Sequence, residues 1–164
     1  MTFNNYTQKS LEAVQSAQNI AVQHSNQQLE PIHLLLALLQ QDGGLTPQLL
    51  RKMGVNAESL EAAAKAEVRN LPTVTGSREA DRFYISAAVD ATFCAAEQQA
   101  QRMKDDFISV EHLLLALIEA AQGSVKNLFE TYRVTKEGVL QALQGIRGSQ
   151  RSEEHTSELQ SRSS

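Results

Sequence analysis

Side chains that could carry catalytic or metal chemistry are few in this chain. A cysteine–histidine catalytic pair would use Cys94, but Cys94 lies in the middle of a predicted helix, where we expect it to pack as a small side chain. His33 and His112 occupy equivalent positions near the start of two apolar helices, and each is expected to hydrogen-bond locally. A zinc site needs three or four converging ligands. The pattern therefore predicts no catalytic residue and no metal site.

The sequence also lacks the motifs that bind nucleotides or nucleic acids. A P-loop needs Gly-Lys-Ser/Thr after a glycine-rich turn, and the 164 residues contain no Gly-Lys dipeptide. The net charge is −4 and there is no tryptophan, so neither a basic stripe nor a base-stacking platform is present. We expect no cofactor in this chain, no nucleic-acid partner and no membrane partner. A single cysteine cannot form an internal disulfide, which favours a reducing, cytoplasmic location.

Residues 4–148 contain one helical sequence pattern that occurs twice. The segment EPIHLLLALL at 30–39 recurs 79 residues later as SVEHLLLALI at 109–118. The register holds without a gap on both sides, which chance does not produce over so long a stretch. We therefore expect a tandem duplication, with repeat one at about 4–70, a linker at 71–82 and repeat two at about 83–148.

Each repeat is predicted to form four helices, because apolar residues recur at helical spacing and capping residues mark the boundaries. In repeat one, Thr7 caps the first helix, Pro31 starts the second, Thr46 and Pro47 cap and start the third, and Asn56 caps the fourth. The second helix is apolar on nearly all sides, so it must be central and buried. No segment alternates polar and apolar residues as a half-buried strand does. The predicted fold is all-α, with two pseudosymmetric four-helix repeats packed as one domain.

Charge differences between the copies mark positions that shared packing does not explain. Asn26 and Ile32 of repeat one correspond to Asp105 and Glu111 of repeat two, which lie before and within the start of the second apolar helix. One interpretation is complementation of the helix dipole, since a carboxylate near a helix N-terminus contributes about 0.3–1 kcal/mol. It explains Glu111 better than Asp105. The other interpretation is an acidic rim beside an apolar cleft between the repeats.

The last residues differ in composition from the rest of the chain. Residues 151–164 read RSEEHTSELQSRSS and share no periodicity with the repeats. The string resembles the translation of a sequencing-adapter oligonucleotide. We therefore expect residues 149–164 to be a disordered or artefactual tail, and the natural chain to continue past about Gln150.

A tandem helical repeat with HLLLAL in both copies resembles the N-terminal repeat domain of the Clp ATPases. The resemblance covers about residues 1–148 and is strongest toward the ClpB-type disaggregases. The residues that carry it are Tyr6-Thr7, EPIHLLLALLQQDGG, Leu71-Pro72 and FISVEHLLLAL. ClpC-type proteins usually carry Gly-Thr-Glu-His before the apolar helix, whereas this chain has Leu-Glu-Pro-Ile-His and Ser-Val-Glu-His.

The resemblance implies the substrate-capture domain of an ATP-dependent protein disaggregase, which binds exposed apolar segments of unfolded or aggregated proteins. It implies capture roles for Thr7, Asp105 and Glu111, although the doubled acid Asp105-Asp106 leaves open which of the two is equivalent. It also implies a binding module without enzyme activity and monomeric in isolation. ATP, magnesium and hexamer assembly are implied only for the full-length protein.

The alternative that the resemblance leaves open is an adaptor-docking domain of a ClpC- or ClpA-type, protease-associated unfoldase. An apolar cleft between the repeats would favour capture of unfolded segments, because such patches mark interaction sites. A flat polar face with paired charges would favour docking of a folded adaptor protein.

Overall fold

The structure, a computed structural model, describes residues 3–74 and 84–147. Residues 75–82 of the predicted linker and the predicted tail at 149–164 lie outside the described residues.

The described chain is mainly helical, and its elements follow the predicted duplication. Repeat one contains α1 (Gln8–Gln23), β1 (Gln28–Leu29), α2 (Pro31–Gln40), α3 (Leu45–Lys52) and α4 (Ala57–Arg69). Repeat two contains β2 (Tyr84–Ile85), α5 (Ala87–Arg102), α6 (Val110–Glu119), α7 (Gly123–Thr131) and α8 (136–147). The bounds of α1 and α2 recur in α5 and α6 at the same offset of 79 residues that the sequence shows. The all-α fold with two four-helix repeats is confirmed.

Capping side chains set the helix starts where the sequence predicted them. The hydroxyl oxygen of Thr7 accepts the backbone N–H of Ser10 at 3.2 Å. Ser86, the equivalent of Thr7 in repeat two, accepts the N–H of Val89 at 3.1 Å. Asn56 caps α4 in the same way. Each cap satisfies a backbone donor that the helix leaves free, which is typically worth about 1 kcal/mol.

Two local predictions are wrong, and both errors come from burial. Thr46 does not cap α3, because the helix already begins after Gly44 and carries Thr46 into the core, fully buried. Pro47 still lies in the first turn, where its missing N–H costs nothing. Cys94 lies in the middle of α5 as expected, but it is exposed. The adjacent and larger Phe93 is fully buried instead, because α5 buries only one of its faces and Cys94 lies on the other.

The two apolar helices form the centre of the domain. Every residue of α2 from Ile32 to Leu39 is at most 4% exposed, and every residue of α6 from Val110 to Leu117 is also buried. α2 packs on α1 and α4, α6 packs on α5, and α2 and α6 contact each other. The prediction of a central buried helix in each repeat is confirmed, as expected for a helix without a polar face.

Two short backbone pairings cross from one repeat to the other. β1 and β2 pair in parallel with Leu29 opposite Ile85, and Tyr6 forms the equivalent parallel bridge with Ile108. The segment before the first helix of each repeat thus pairs with the segment before the second helix of the other. This exchange helps to fix how the repeats dock. The sequence did not predict it, because two residues are too few to show an alternating pattern.

Candidate functional site

Asp105, Glu111 and Arg147 meet near the start of α6. Arg147, the last described residue of α8, donates from Nη2 to Oδ2 of Asp105 at 3.1 Å and lies 3.5 Å from Oε2 of Glu111. The structure therefore brings the two predicted acids together on one cation. Arg147 itself was not predicted. A signal for it existed, because its equivalent in repeat one is the apolar Val68, so this position also changes charge between the copies.

His112 holds Asp105 in place from inside the domain. Its ring is fully buried, and its Nδ1 accepts the backbone N–H of Ser109 at 2.8 Å. The other ring nitrogen, Nε2, then carries the proton and donates it to Oδ2 of Asp105 at 2.8 Å. Ser109 and His112 together form a capping box at the start of α6, which ties Asp105 to the helix terminus.

Repeat one contains a neutral version of the same arrangement. His33 accepts the N–H of Glu30 at 2.9 Å, and its Nε2 lies 2.7 Å from Oδ1 of Asn26. The prediction that both histidines hydrogen-bond locally is confirmed. Burial, with a smaller contribution from His24, lowers the pKa of His33 to about 4, so the ring is neutral near neutral pH. Since asparagine suffices to anchor a histidine here, the charge of Asp105 is not required by local packing.

Asp105 carries a negative charge near neutral pH. Partial burial by itself raises the pKa of its carboxyl, but the hydrogen bonds from His112 and Arg147, together with the positive charge of Arg147, outweigh burial and hold the pKa below its ordinary value. The side chain is 29% exposed. The carboxylate is therefore both ionised and accessible to a ligand from solvent.

Glu111 is buried more deeply, in the first turn of α6 and 8% exposed. A carboxylate there meets the positive end of the helix dipole, so the dipole interpretation holds for this residue. Its Oε2 faces Arg147, but Oε1 has no hydrogen-bond partner within the part of the chain that the structure describes. A buried carboxylate oxygen without a donor costs free energy. The dipole and Arg147 therefore do not satisfy this side chain completely.

Thr7 reaches the same segment from α1 through its backbone. Its N–H donates to the carbonyl oxygen of Ile108 at 3.0 Å, and Ile108 lies between Asp105 and Glu111 in the chain. Its hydroxyl is already engaged, since it accepts the N–H of Ser10 and donates to the Ser10 hydroxyl at 3.0 Å. Thr7 thus acts as a helix cap in this geometry. Its role in capture, on one face with the two acids, stays a prediction.

Replacing Thr7 with alanine is expected to lower the free energy of unfolding by about 0.5–2 kcal/mol, because the Ser10 N–H loses its acceptor. Thr7→Ser keeps the hydroxyl and should stay close to the unsubstituted chain. Urea unfolding followed by circular dichroism measures the difference. Loss of polypeptide binding by fully folded Thr7→Ala would instead show a direct role for this side chain in capture.

Large apolar side chains are exposed beside the segments that join the repeats. Phe107 is 57% exposed, directly before the bridge residue Ile108, and Tyr84 and Ile85 of β2 are 58% and 43% exposed. Phe107 also lies between the two acids along the chain. Exposed apolar groups next to charged groups are typical of surfaces that bind other proteins.

A groove with a volume of about 760 Å³ lies elsewhere, within repeat two. It runs between the end of α6, α7 and the start of α8. Its lining includes the apolar Ile118, Phe129 and Val134 and the charged Lys126 and Glu130. The residues predicted to capture substrate do not line it.

Within residues 3–74 and 84–147, histidine, cysteine, aspartate and glutamate side chains form no group of three or more that could hold a metal ion. Among the described helices, none combines the length and the apolar character that crossing a bilayer requires.

Comparison with known proteins supports the resemblance stated from the sequence. Residues 5–132 match the family model of the Clp repeat (R) N-terminal domain. The chain is 40% identical to the chaperone protein ClpB of Bacillus cereus over 152 residues, which are 92% of this chain and 17% of that protein. It is 36% identical to ClpB of Clostridium tetani over 152 residues, 92% of this chain and 18% of that protein.

A solved structure shows the same fold. The N-terminal domain of Hsp104 from Candida albicans superposes with a TM-score of 0.75 and 22% identity, covering 89% of this chain and 93% of that chain. This chain spans less than a fifth of the length of the curated relatives that it matches. The matched region contains both apolar helices and the segment from Asp105 to Glu111. The chain belongs to the family of Clp repeat N-terminal domains.

Proposed function

We propose that this domain captures exposed apolar segments of unfolded or aggregated proteins, as the N-terminal module of a ClpB-type disaggregase. The observation that carries the proposal is the exposed ring of Phe107 between Asp105 and Glu111 in the chain, with both acids held on Arg147. An apolar side chain beside ionised carboxylates suits segments in which apolar residues are flanked by lysine or arginine. The apolar contact supplies affinity, and the acids favour encounter and register.

The likeness to ClpB chaperones supports the same function. Because the chain spans only 17% of the Bacillus cereus relative, ATP hydrolysis, magnesium binding and hexamer assembly belong in this proposal to other parts of such a protein. The domain itself then acts as a monomeric, cytoplasmic binding module without catalysis.

Replacing Asp105 with asparagine and Glu111 with glutamine together is expected to weaken binding of a basic unfolded protein several-fold and to reduce the salt dependence of binding. The carboxylates of Asp105 and Glu111 are each expected to contribute on the order of 1 kcal/mol to the binding free energy. Reduced, carbamidomethylated lysozyme is a suitable probe, with affinity measured by fluorescence anisotropy at two salt concentrations. The variant should fold, since Asn26 already partners His33 in repeat one as the new asparagine would partner His112.

A matched control, Asp42→Asn together with Glu61→Gln, removes the same number of negative charges from repeat one. Among the described residues, neither side chain is a hydrogen-bond or ion-pair partner of Asp105, Glu111 or Arg147, so binding should stay near that of the unsubstituted domain. Equal binding by the two double variants would reject the role of Asp105 and Glu111 in capture. Weaker binding only for the first pair would support it.

For the alternative function, docking of a folded adaptor protein, the candidate surface is the groove in repeat two. Lys126 and Glu130 line this groove together with its apolar residues, so it offers both charged and apolar contacts to a partner protein. If this groove is the binding surface, Glu130→Lys should abolish binding while the Asp105 and Glu111 variants bind normally. If capture takes place at the start of α6, Glu130→Lys should bind normally and the Asp105 and Glu111 variants should bind weakly.

A further inference from the structure

Three positions that carry neutral side chains in repeat one carry charged side chains in repeat two: Asn26 becomes Asp105, Ile32 becomes Glu111 and Val68 becomes Arg147. Ile32 and Val68 are 2% and 1% exposed, so neutral residues satisfy the packing at these places. In repeat two Arg147 lies 3.1 Å from Asp105 and 3.5 Å from Glu111. Packing alone therefore does not account for the charged group.

The single cation does not complete this group. Arg147 balances one of the two negative charges, so its contacts with Asp105 and Glu111 leave one negative charge over. Oε1 of Glu111 is buried and finds no donor among the described side chains and backbone. An ionised acceptor that lacks a donor is stabilised by one more positively charged hydrogen-bond donor. The group thus has capacity to bind a cationic side chain from outside.

We propose that Arg147 is an internal ligand of the capture site, whose guanidinium holds the place that a basic side chain of a bound polypeptide takes. This inference rests on the proposed function. An incoming arginine or lysine can form the same charge-assisted hydrogen bonds to Oδ2 of Asp105 and Oε2 of Glu111 that Arg147 forms. Arg147 is already 30% exposed, so rotation of its side chain carries its charge into water.

Replacement of Arg147 by a side chain of the bound polypeptide sets a charge requirement for capture. A neutral apolar segment has no group to exchange with Arg147, whereas a segment flanked by arginine or lysine replaces it with a like group. Removing Arg147 leaves both acids without a cation. The site of the variant then attracts a basic segment more strongly than the original site does.

The test compares Arg147→Gln and Arg147→Lys with the unsubstituted domain. The probes are two fluorescently labelled peptides with the same apolar centre, one flanked by arginines and one by glutamates. Arg147→Gln should bind the arginine-flanked peptide several-fold more tightly and with a steeper salt dependence, and Arg147→Lys should stay close to the original. The control Lys65→Gln removes an exposed lysine that pairs with Glu61 in repeat one, and it should change neither affinity.

The outcomes separate this inference from the function on which it rests. If the unsubstituted domain binds neither peptide, the proposed function fails and the inference fails with it. If it binds the arginine-flanked peptide but folded Arg147→Gln binds no more tightly, the proposed function stands and Arg147 is not an internal ligand.

A second measurement needs no substitution at the site. The Nε–H signal of Arg147 in the nuclear magnetic resonance spectrum should move toward that of a free arginine as the arginine-flanked peptide is added. A signal that stays in place while the peptide saturates the domain would overturn the inference. The glutamate-flanked peptide should leave the signal unmoved in either case, as its control.

Discussion

Replacing Leu114 with alanine is expected to lower the free energy of unfolding by about 2–5 kcal/mol. Leu114 is fully buried in α6, and its truncation leaves a cavity that the surrounding helices fill only in part. Its equivalent in α2, Leu35, is also fully buried, so Leu35→Ala should cost a similar amount. Guanidinium chloride unfolding followed by circular dichroism measures both changes.

Both substitutions should shift one unfolding transition, because the repeats depend on each other. α2 and α6 are in contact, and the bridge from Tyr6 to Ile108 joins the backbone of one repeat to that of the other. Val22 is 55% exposed, and so the control Val22→Ala should change stability by no more than about 0.5 kcal/mol. A separate, earlier transition in Leu114→Ala alone would show that the repeats unfold independently.

Acidification from about pH 6.5 to about pH 4 is expected to remove about 3 kcal/mol of stability through His33. Burial lowers the pKa of this ring in the folded domain from 6.5 to about 4. Between these values the unfolded chain binds a proton that the folded domain does not. The contribution is therefore fully present above the unfolded pKa and is lost as the pH falls toward the folded one. Asp105, whose pKa is also lowered, loses its contribution only at more acid pH.

The matched variant for this prediction is His33→Gln. Glutamine can accept the N–H of Glu30 in an ordinary capping box and can donate to Asn26, but it does not titrate. Urea unfolding at a series of pH values should show a shallower loss of stability for His33→Gln than for the unsubstituted domain. Parallel curves for the two proteins would mean that other groups cause the acid sensitivity.

The sequence by itself determined the all-α class, the duplication and the family. Helix formation depends on apolar spacing and on caps within a few residues, so Thr7 and Asn56 marked the starts of α1 and α4 correctly. The two histidines were predicted to bond locally from their equivalent positions near the helix starts, and they do so because a residue three positions into a helix can reach back to the cap. Comparison of the copies also singled out Asp105 and Glu111 as charges that the repeat does not share.

Only the tertiary structure decided what those charges contact. Arg147 lies 42 positions from Asp105 in the chain, and it meets Asp105 because α8 packs beside the start of α6. The exchanged pairing of Tyr6 with Ile108 likewise depends on how the two repeats dock. Docking follows from the fit of whole helices, whose apolar surfaces can pack in more than one way until all their neighbours are in place. Local spacing therefore predicted the helices, and comparison of the copies predicted the two acids, while the long-range fit of the helices decided which cation contacts both.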